Sequence, residues 1–442
     1  MTTRHFLFSI ILSAAAALSL PAADNSYKPQ SPSEAVRMDP QKAGGVYYVY
    51  DSSALPAPTA PPAGYKPFYI SHFGRHGARW CFSEYDSLYV WLSKAAKAEV
   101  LTRAGRELLS RYEPFYRKAR LHGGNLTGVG KEQHRGIAAR MYRRFPQVFC
   151  GPTHVEAVAT EAPRVIMSMW SFLSSLQSLD RNIDISADAS AEYAPWLQPS
   201  LSLNPYYRRG TFRIGEKAEV ALDDYLFATV PWKDIVSRFF SGPEVVQDVL
   251  KTTPEVFIRF LHSVVFSAPC MDEDLDIFEG VLTEEESFLI WKVLAARHFL
   301  QMGRFEGSES LAVGYAGWTL EQIIESADAD MRSGATQLRL RFGHDSGVMP
   351  LLTLLDVNGF GRSTSSLEEA VSIFPDYNVP MGCSIQFIFY RKPGKETLLK
   401  VFLNEREASL PLTPVADTFY SWEDFKAHYL PVISEEKARI LE

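Results

Sequence analysis

Two apolar runs in this chain each break off at a glycine-flanked histidine, and this pairing constrains the fold more than any other feature. Phe68-Tyr69-Ile70-Ser71-His72-Phe73 leads into Gly74-Arg75-His76-Gly77-Ala78-Arg79, and Leu338-Arg339-Leu340-Arg341-Phe342 leads into Gly343-His344-Asp345. Strand-like residues ending at glycine put each histidine where a strand gives way to a loop. Open α/β sheets bind ligands at such edges. Arg75 and Arg79 offer forked donors that suit phosphate oxygens, and the imidazole between them is a nucleophile for phosphorus. The same two charges disfavour protonation of His76, which keeps its ring neutral in acid.

The texture around these runs is α/β. Residues 83–116 and 129–145 carry apolar positions at helical spacing, 155–160 reads as a strand, and 163–179 as a helix opening on Pro163. Val46 to Tyr50 is β-like, and residues 54–67 form a Pro/Ala-rich connection. From 183 to 318 helices dominate, with segments at 232–240, 243–250, 254–267 and 284–302, the last opened by a Thr283/Glu286 capping box. Thr319 and Gln322 then cap a further helix, and strands 384–391 and 397–403 form a hairpin before a polar carboxyl tail. The expected organisation is an α/β core over 24–182 and 319–442, with a mainly α-helical cap inserted at 183–318.

Composition narrows the classes of function. In 442 residues, 46% hydrophobic and 13% aromatic content supplies a large core. A net charge of -7 leaves no basic excess for nucleic acid, whereas a compact anion needs only a local arginine cluster. Arg4 and His5, an apolar stretch from 6 to 20, and small residues at Ala22 and Ala23 read as a signal peptide over 1–23. Cleavage is expected after Ala22 or Ala23, giving a periplasmic or secreted protein with no membrane attachment. Cys81, Cys150, Cys270 and Cys383 leave two alternatives open, a pair of disulfides or four free thiols, and their spacing matches no zinc pattern. The glycines from Gly123 to Gly130 fail as a nucleotide loop, because Asn125 and Glu132 occupy positions that need glycine and a hydroxyl.

Taken together, Arg75-His76-Gly77-Ala78-Arg79 and the late His344-Asp345 resemble the two signatures of the histidine acid phosphatase family. Leu126-Thr127-x-x-Gly130-x-x-Gln133 and Ala159-Thr160-Glu161-Ala162-Pro163-Arg164, with Ser168 following, resemble further elements of that family, in family order. The resemblance implies a phosphoglycerate-mutase-like three-layer core with a mixed sheet, and a phosphomonoesterase that uses no cofactor and no metal. It implies His76 as the nucleophile that carries the phosphoryl group and Asp345 as the acid for the leaving oxygen. Arg75, Arg79, Arg164 and His344 would bind the phosphate. Multiple inositol polyphosphate phosphatases share the Tyr69-Ile70-Ser71-His72 lead-in but typically carry His-Ala-Glu, where this chain has the His-Asp of phytases and sugar phosphatases. A small anionic phosphate ester is the implied partner: phytate, another inositol phosphate or a sugar phosphate. A non-catalytic phospho-ligand or glycan binder is the alternative from a different class. A monomer and a small homo-oligomer both remain open.

Overall fold

Lys66–Arg75 (β1) lies at the centre of an eight-stranded mixed sheet because it is apolar on both faces. Tyr69 and Phe73 face one layer of helices, and Ile70 faces the other. The computed structural model describes residues 31–197, 211–271 and 276–441. The expected signal peptide therefore lies outside the described residues. The remaining strands are β2 (His154–Ala159), β3 (Asp184–Ala189), β4 (Leu338–Gly343), β5 (Ser384–Arg391), β6 (Leu398–Leu403), β7 (Arg406–Ala408) and β8 (Tyr420–Ser421). Their order is β8-β6-β5-β1-β4-β2-β3, with β7 paired to β6. From β1 to β3 the neighbours are parallel; from β1 to β8 they are antiparallel.

The helices are α1 (Ser83–Lys97), α2 (Arg103–Ala119), α3 (Gly128–Arg144), α4 (Pro163–Leu179), α5 (Glu216–Thr229), α6 (Trp232–Phe239), α7 (Pro254–Phe266), α8 (Glu284–Met302), α9 (Ala312–Ser333), α10 (Asp345–Leu354) and α11 (Trp422–Leu441), with shorter turns between them. Ile137 and Met141 of α3 and Val165 and Phe172 of α4 pack on Ile70, Leu340 and Phe342. On the opposite face Leu320 of α9, Leu351 of α10 and Phe425 of α11 pack on Tyr69, Phe73 and Phe387. The result is the expected three-layer core. A second apolar cluster joins α1, α2 and α5 to α8 through residues such as Leu88, Leu108, Leu222, Ile235, Phe257 and Ile290. Among the described residues no helix is long and apolar enough to cross a membrane.

Several boundaries differ from the sequence reading. Residues 184–189, placed in the helical insertion, are β3 on the sheet edge; its partly exposed Asp-Ile-Ser-Ala-Asp-Ala run lacks the apolar face that announces a strand. Helices α1 and α2 join the helical cluster instead of covering the sheet. Helix α9 starts at Ala312, so Thr319 is internal and its hydroxyl donates to the Trp196 carbonyl at 2.8 Å instead of capping. Val46 to Tyr50 pairs with no strand; Val46 and Tyr47 end a 3₁₀ turn. The carboxyl tail is the helix α11, whose buried Trp422, Phe425, Tyr429, Ile433 and Ile440 were masked by interleaved charges. The Thr283/Glu286 box does open α8, with both reciprocal hydrogen bonds made. All four cysteines are free, and Cys81, Cys270 and Cys383 are buried.

Candidate active site

The register of three parallel strands assembles the site. Arg75 pairs with Gly343, so β1 and β4 end side by side, and the His76 N–H donates to the Gly343 carbonyl at 3.0 Å. β2 stops level with Phe342, whose carbonyl accepts from the Thr160 N–H at 3.3 Å. His76, His344 and Thr160 therefore leave adjacent carboxyl ends of one sheet, where the connections run off to different layers. The imidazoles of His76 and His344 stand edge to face, 5.7 Å apart.

The His76 ring is oriented and kept neutral. Its Nδ1 lies 2.9 Å from the Gly77 carbonyl, and a carbonyl only accepts, so the proton is on Nδ1 and the Nε2 lone pair is bare. Burial first, then the charges of Arg75, Arg164 and Arg79, hold this ring well below the usual histidine range. The loop after it is fastened at successive peptides. Gly77 N–H donates to Ser168 Oγ at 3.1 Å, and Ala78 N–H donates to Gln133 Oε1 at 2.8 Å. Ser168 in turn donates to the Arg164 carbonyl, and Gln133 Nε2 to the Met381 carbonyl, both at 2.8 Å.

Three guanidiniums surround this ring. Arg75 is fully buried; it donates to the carbonyls of Val46 at 2.6 Å and Val379 at 2.8 Å, and to Asp345 Oδ2 at 2.6 Å. Arg79 donates to the Trp80 carbonyl at 2.9 Å. Phe82 lies over both Arg79 and Arg164, 4.4 and 5.1 Å from its ring centre. The Nε–H of Arg75, Arg79 and Arg164 are buried without a partner. Burial and the neighbouring Arg79 push Arg164 down to about 10, the signature of cations crowded together. Burying such donors is costly unless an anion meets them, so the pocket is built for a multiply charged anion.

His344 and Asp345 take positions that refine the expectation. Arg164 Nη2 lies 3.2 Å from His344 Nδ1; a guanidinium only donates, so Nδ1 accepts and the proton sits on Nε2, bonded to Thr160 Oγ1 at 3.1 Å. Burial and Arg164 bring this ring down to about 3. His344 was expected to add a donor to the phosphate; both its nitrogens are engaged, so here it buttresses Arg164. Asp345 is the first residue of α10, not its cap, and its Oδ1 accepts from the Ser346 N–H at 2.8 Å. Burial opposes its ionisation, but the Arg75 and Arg79 charges outweigh that and hold the carboxyl well below the usual range. Trp80 is core, stacked on Phe115 and His122. Among the described residues no cluster of three or more His, Cys, Asp or Glu is arranged to hold a metal ion.

No protein-family model and no curated protein matches the chain. Solved structures do. The Bifidobacterium longum multiple inositol polyphosphate phosphatase, in complex with inositol hexasulfate, aligns with a TM-score of 0.73 at 18% identity, covering 88% of this chain and 96% of its own. The chain has the histidine acid phosphatase fold. The D. castellii phytase aligns at 0.65 with 14% identity, over 90% of this chain and 85% of that one. The Hafnia alvei phytase in complex with tartrate aligns at 0.53 with 14% identity, over 85% and 98%.

The six site residues read from sequence, His76, Asp345, Arg75, Arg79, Arg164 and His344, converge. What sequence reasoning did not assign is their support. In the sequence Gln133 belongs to a helix-entry segment; in the structure it splints the His76 loop to Met381. Phe82 follows the motif by three residues and covers two of the site's arginines, Arg79 and Arg164; only its place in the strand-to-helix turn hinted at that.

Proposed function

We propose that this protein is an exported phosphomonoesterase that works through a covalent phosphohistidine on His76. The observation that carries the reading is a neutral imidazole with a bare Nε2, set among three arginines whose buried Nε–H groups have no partner. A phosphate monoester dianion would meet Arg75, Arg79 and Arg164. Nε2 attacks phosphorus, the bond to the ester oxygen breaks, and Asp345 gives that oxygen a proton. Water then attacks phosphorus as Asp345 takes its proton back; the P–N bond breaks and His76 leaves neutral. Arginines aimed at the equatorial oxygens stabilise both transition states.

Asp345 is ionised in the free protein. A dianion spread over the same arginines offsets the charges that keep it so, and thereby favours the protonated acid that the first step needs. Likeness in fold to phytases and to a multiple inositol polyphosphate phosphatase supports inositol polyphosphates as substrates. The charged, apolar and small-residue order of residues 1–23 supports export to the periplasm or beyond. The helical cluster of α1, α2 and α5 to α8 would act as the cap over the sheet.

The test is phosphate release by the purified protein in EDTA at pH 5, from p-nitrophenyl phosphate and from phytate, with His76→Ala alongside. Release from both substrates that disappears in the variant is the expected result. Folded protein that releases phosphate from neither would overturn the catalytic reading in favour of a binding protein.

A further inference from the structure

Beneath the strand end that carries Arg75 and His76 lies a group of buried polar side chains that the phosphoryl chemistry does not use. His72 shares a face of β1 with the core residue Ile70 and stands opposite Gln386 of β5, while Gly74 stands opposite Ser384. His134 reaches the same layer from α3. None of these side chains meets solvent: His134 and Ser384 are 0% exposed, His72 1% and Gln386 2%. Yet both ring nitrogens of His72, both of His134, Ser384 Oγ and Gln386 Nε2 are without a hydrogen-bond partner among the described residues.

The two rings are held by aromatic packing. The His72 ring centre lies 5.3 Å from that of Phe172 and 5.6 Å from that of Phe342, and the His134 ring lies 5.7 Å from the same Phe342. His72 leans along the strand, so that a Cβ on Gly74 would fall 2.7 Å from its Nε2. Burial, then His134 and Arg341, bring His72 down to about 3, and burial brings His134 down to about 4. Each neutral ring therefore has one N–H to donate and one lone pair to offer. Ser384 adds a hydroxyl that does both, and Gln386 adds amide hydrogens. Packing alone does not account for this choice, since phenylalanine fills the same volume without stranding polar atoms. Water does account for it, because a buried water donates and accepts and typically makes about three hydrogen bonds. Gly74 and Ser384, small residues facing one another, suit a molecule of that size.

The surroundings show what such water would hold. Ser384 follows Cys383, whose carbonyl accepts from the Arg75 N–H at 2.8 Å. His134 follows Gln133, which splints the His76 loop. Consecutive residues on α3 and on the approach to β5 thus serve the same strand end, one of each pair by a direct bond. We propose that His72, His134, Ser384 and Gln386 bind ordered water that fastens the end of β1 to α3 and β5, and that the two histidines are positioning residues for His76. The positioning role rests on His76 being the nucleophile; the water site does not.

Two measurements test it. A crystal structure that resolves ordered solvent is expected to show water within hydrogen-bonding distance of a ring nitrogen of His72 and of His134; a dry cluster overturns the proposal. The kinetic test uses His134→Phe, which keeps the ring but removes both nitrogens, and His134→Gln, which keeps a donor and an acceptor. In His134→Phe, kcat is expected to fall at least tenfold and by the same factor for p-nitrophenyl phosphate and phytate, since a displaced nucleophile slows both. KM should stay within threefold and the urea midpoint should not fall. His134→Gln should keep at least a third of the wild-type kcat. A kcat within twofold of wild type in folded His134→Phe shows that the ring is packing, and equal losses in the two variants show that shape is the requirement; either result refutes the positioning role. His72→Phe makes the same exchange from the strand side and gives the same readout if His134→Phe does not fold. Wild type that holds the water but turns over neither substrate counts against the phosphatase reading and, with it, against the positioning role.

Discussion

Gly77→Ala tests whether the position of His76, the proposed nucleophile, depends on backbone lying against backbone. The loop after β1 rests on the first turn of α3 with no side chain between them. A Cβ on Gly77 would sit 2.4 Å from the Gly130 carbonyl oxygen and 2.6 Å from its Cα; one on Gly130 would sit 2.3 Å from the Ala78 oxygen. Ordinary contact begins near 3.4 Å, and none of these atoms is the end of a flexible side chain. The loop must therefore retreat by about 1 Å, a displacement that costs a catalytic geometry roughly 100-fold. The bonds from Gly77 to Ser168 and from Ala78 to Gln133, now 3.1 and 2.8 Å, would stretch out of range. Overpacking of this kind destabilises by about 1–3 kcal/mol. Turnover of p-nitrophenyl phosphate and the urea midpoint measure the two effects. The control is Gly123→Ala, whose Cβ meets nothing nearer than the Cys81 carbonyl at 3.7 Å and which should behave as wild type. A Gly77→Ala protein with at least a third of the wild-type kcat and an unchanged midpoint would show that the loop adapts and that the reasoning fails.

Asp345→Asn should lower kcat for phytate by about 10²-fold or more, the usual worth of a positioned acid, and lower it less for p-nitrophenyl phosphate, whose leaving group scarcely needs a proton. Equal losses with both substrates would remove Asp345 from the proton-transfer role. Sulfate binding at pH 5, followed by calorimetry in two buffers of different ionisation heat, should take up protons, because an anion on Arg75 and Arg79 relieves what keeps Asp345 ionised; proton release would contradict this. Burial brings His72 down to about 3, and His134 and His262 to about 4. The unfolded chain gains protons on these rings below about pH 6.5 while the native state does not, so stability is full above that pH and declines below it. A urea midpoint as high at pH 5 as at pH 7 would refute it. A thiol reagent should modify one cysteine, Cys150, in native protein and four after unfolding; fewer than four in the unfolded, unreduced chain would reveal a disulfide.

The site was legible where chemistry and chain geometry coincide in a few residues. A strand ending in Gly74-Arg75-His76-Gly77 can deliver its histidine only to the sheet edge, and so can one ending in Gly343-His344. That the two edges are neighbours is a matter of register, Arg75 opposite Gly343, which no local pattern encodes. Arg164 was readable because Pro163 opens its helix one residue earlier. The part played by Gln133 was not, since it comes from Met381, 248 residues away in sequence. The fold was misread where burial and polarity part company. The alternation of Arg339 and Arg341 with apolar residues gives no sign that Arg341 is fully buried, bonded to Gln322, Ser71 and Ser326 because α9 covers that face. β3 erred the other way, a true strand with too little apolar surface to show itself.

The charge arrangement explains why these features belong together. Arg75, Arg79 and Arg164 crowd a buried space whose nearest counter-charge is the single carboxylate of Asp345. Protonated histidines there would add to the repulsion; instead burial and the arginine charges keep His76 and His344 neutral, and a hydrogen bond sets the tautomer of each. Asp345 serves two needs in turn. Under the proposed mechanism it relieves Arg75 before an anion arrives; once one has arrived, that relief is redundant and the carboxyl becomes the group best placed to accept a proton. A lysine in place of Arg75 would keep the charge but could not reach Val46, Val379 and Asp345 together while still presenting a donor to the pocket. The planar fork of arginine lets one side chain anchor the backbone around the site and, under the proposed mechanism, also face a phosphate.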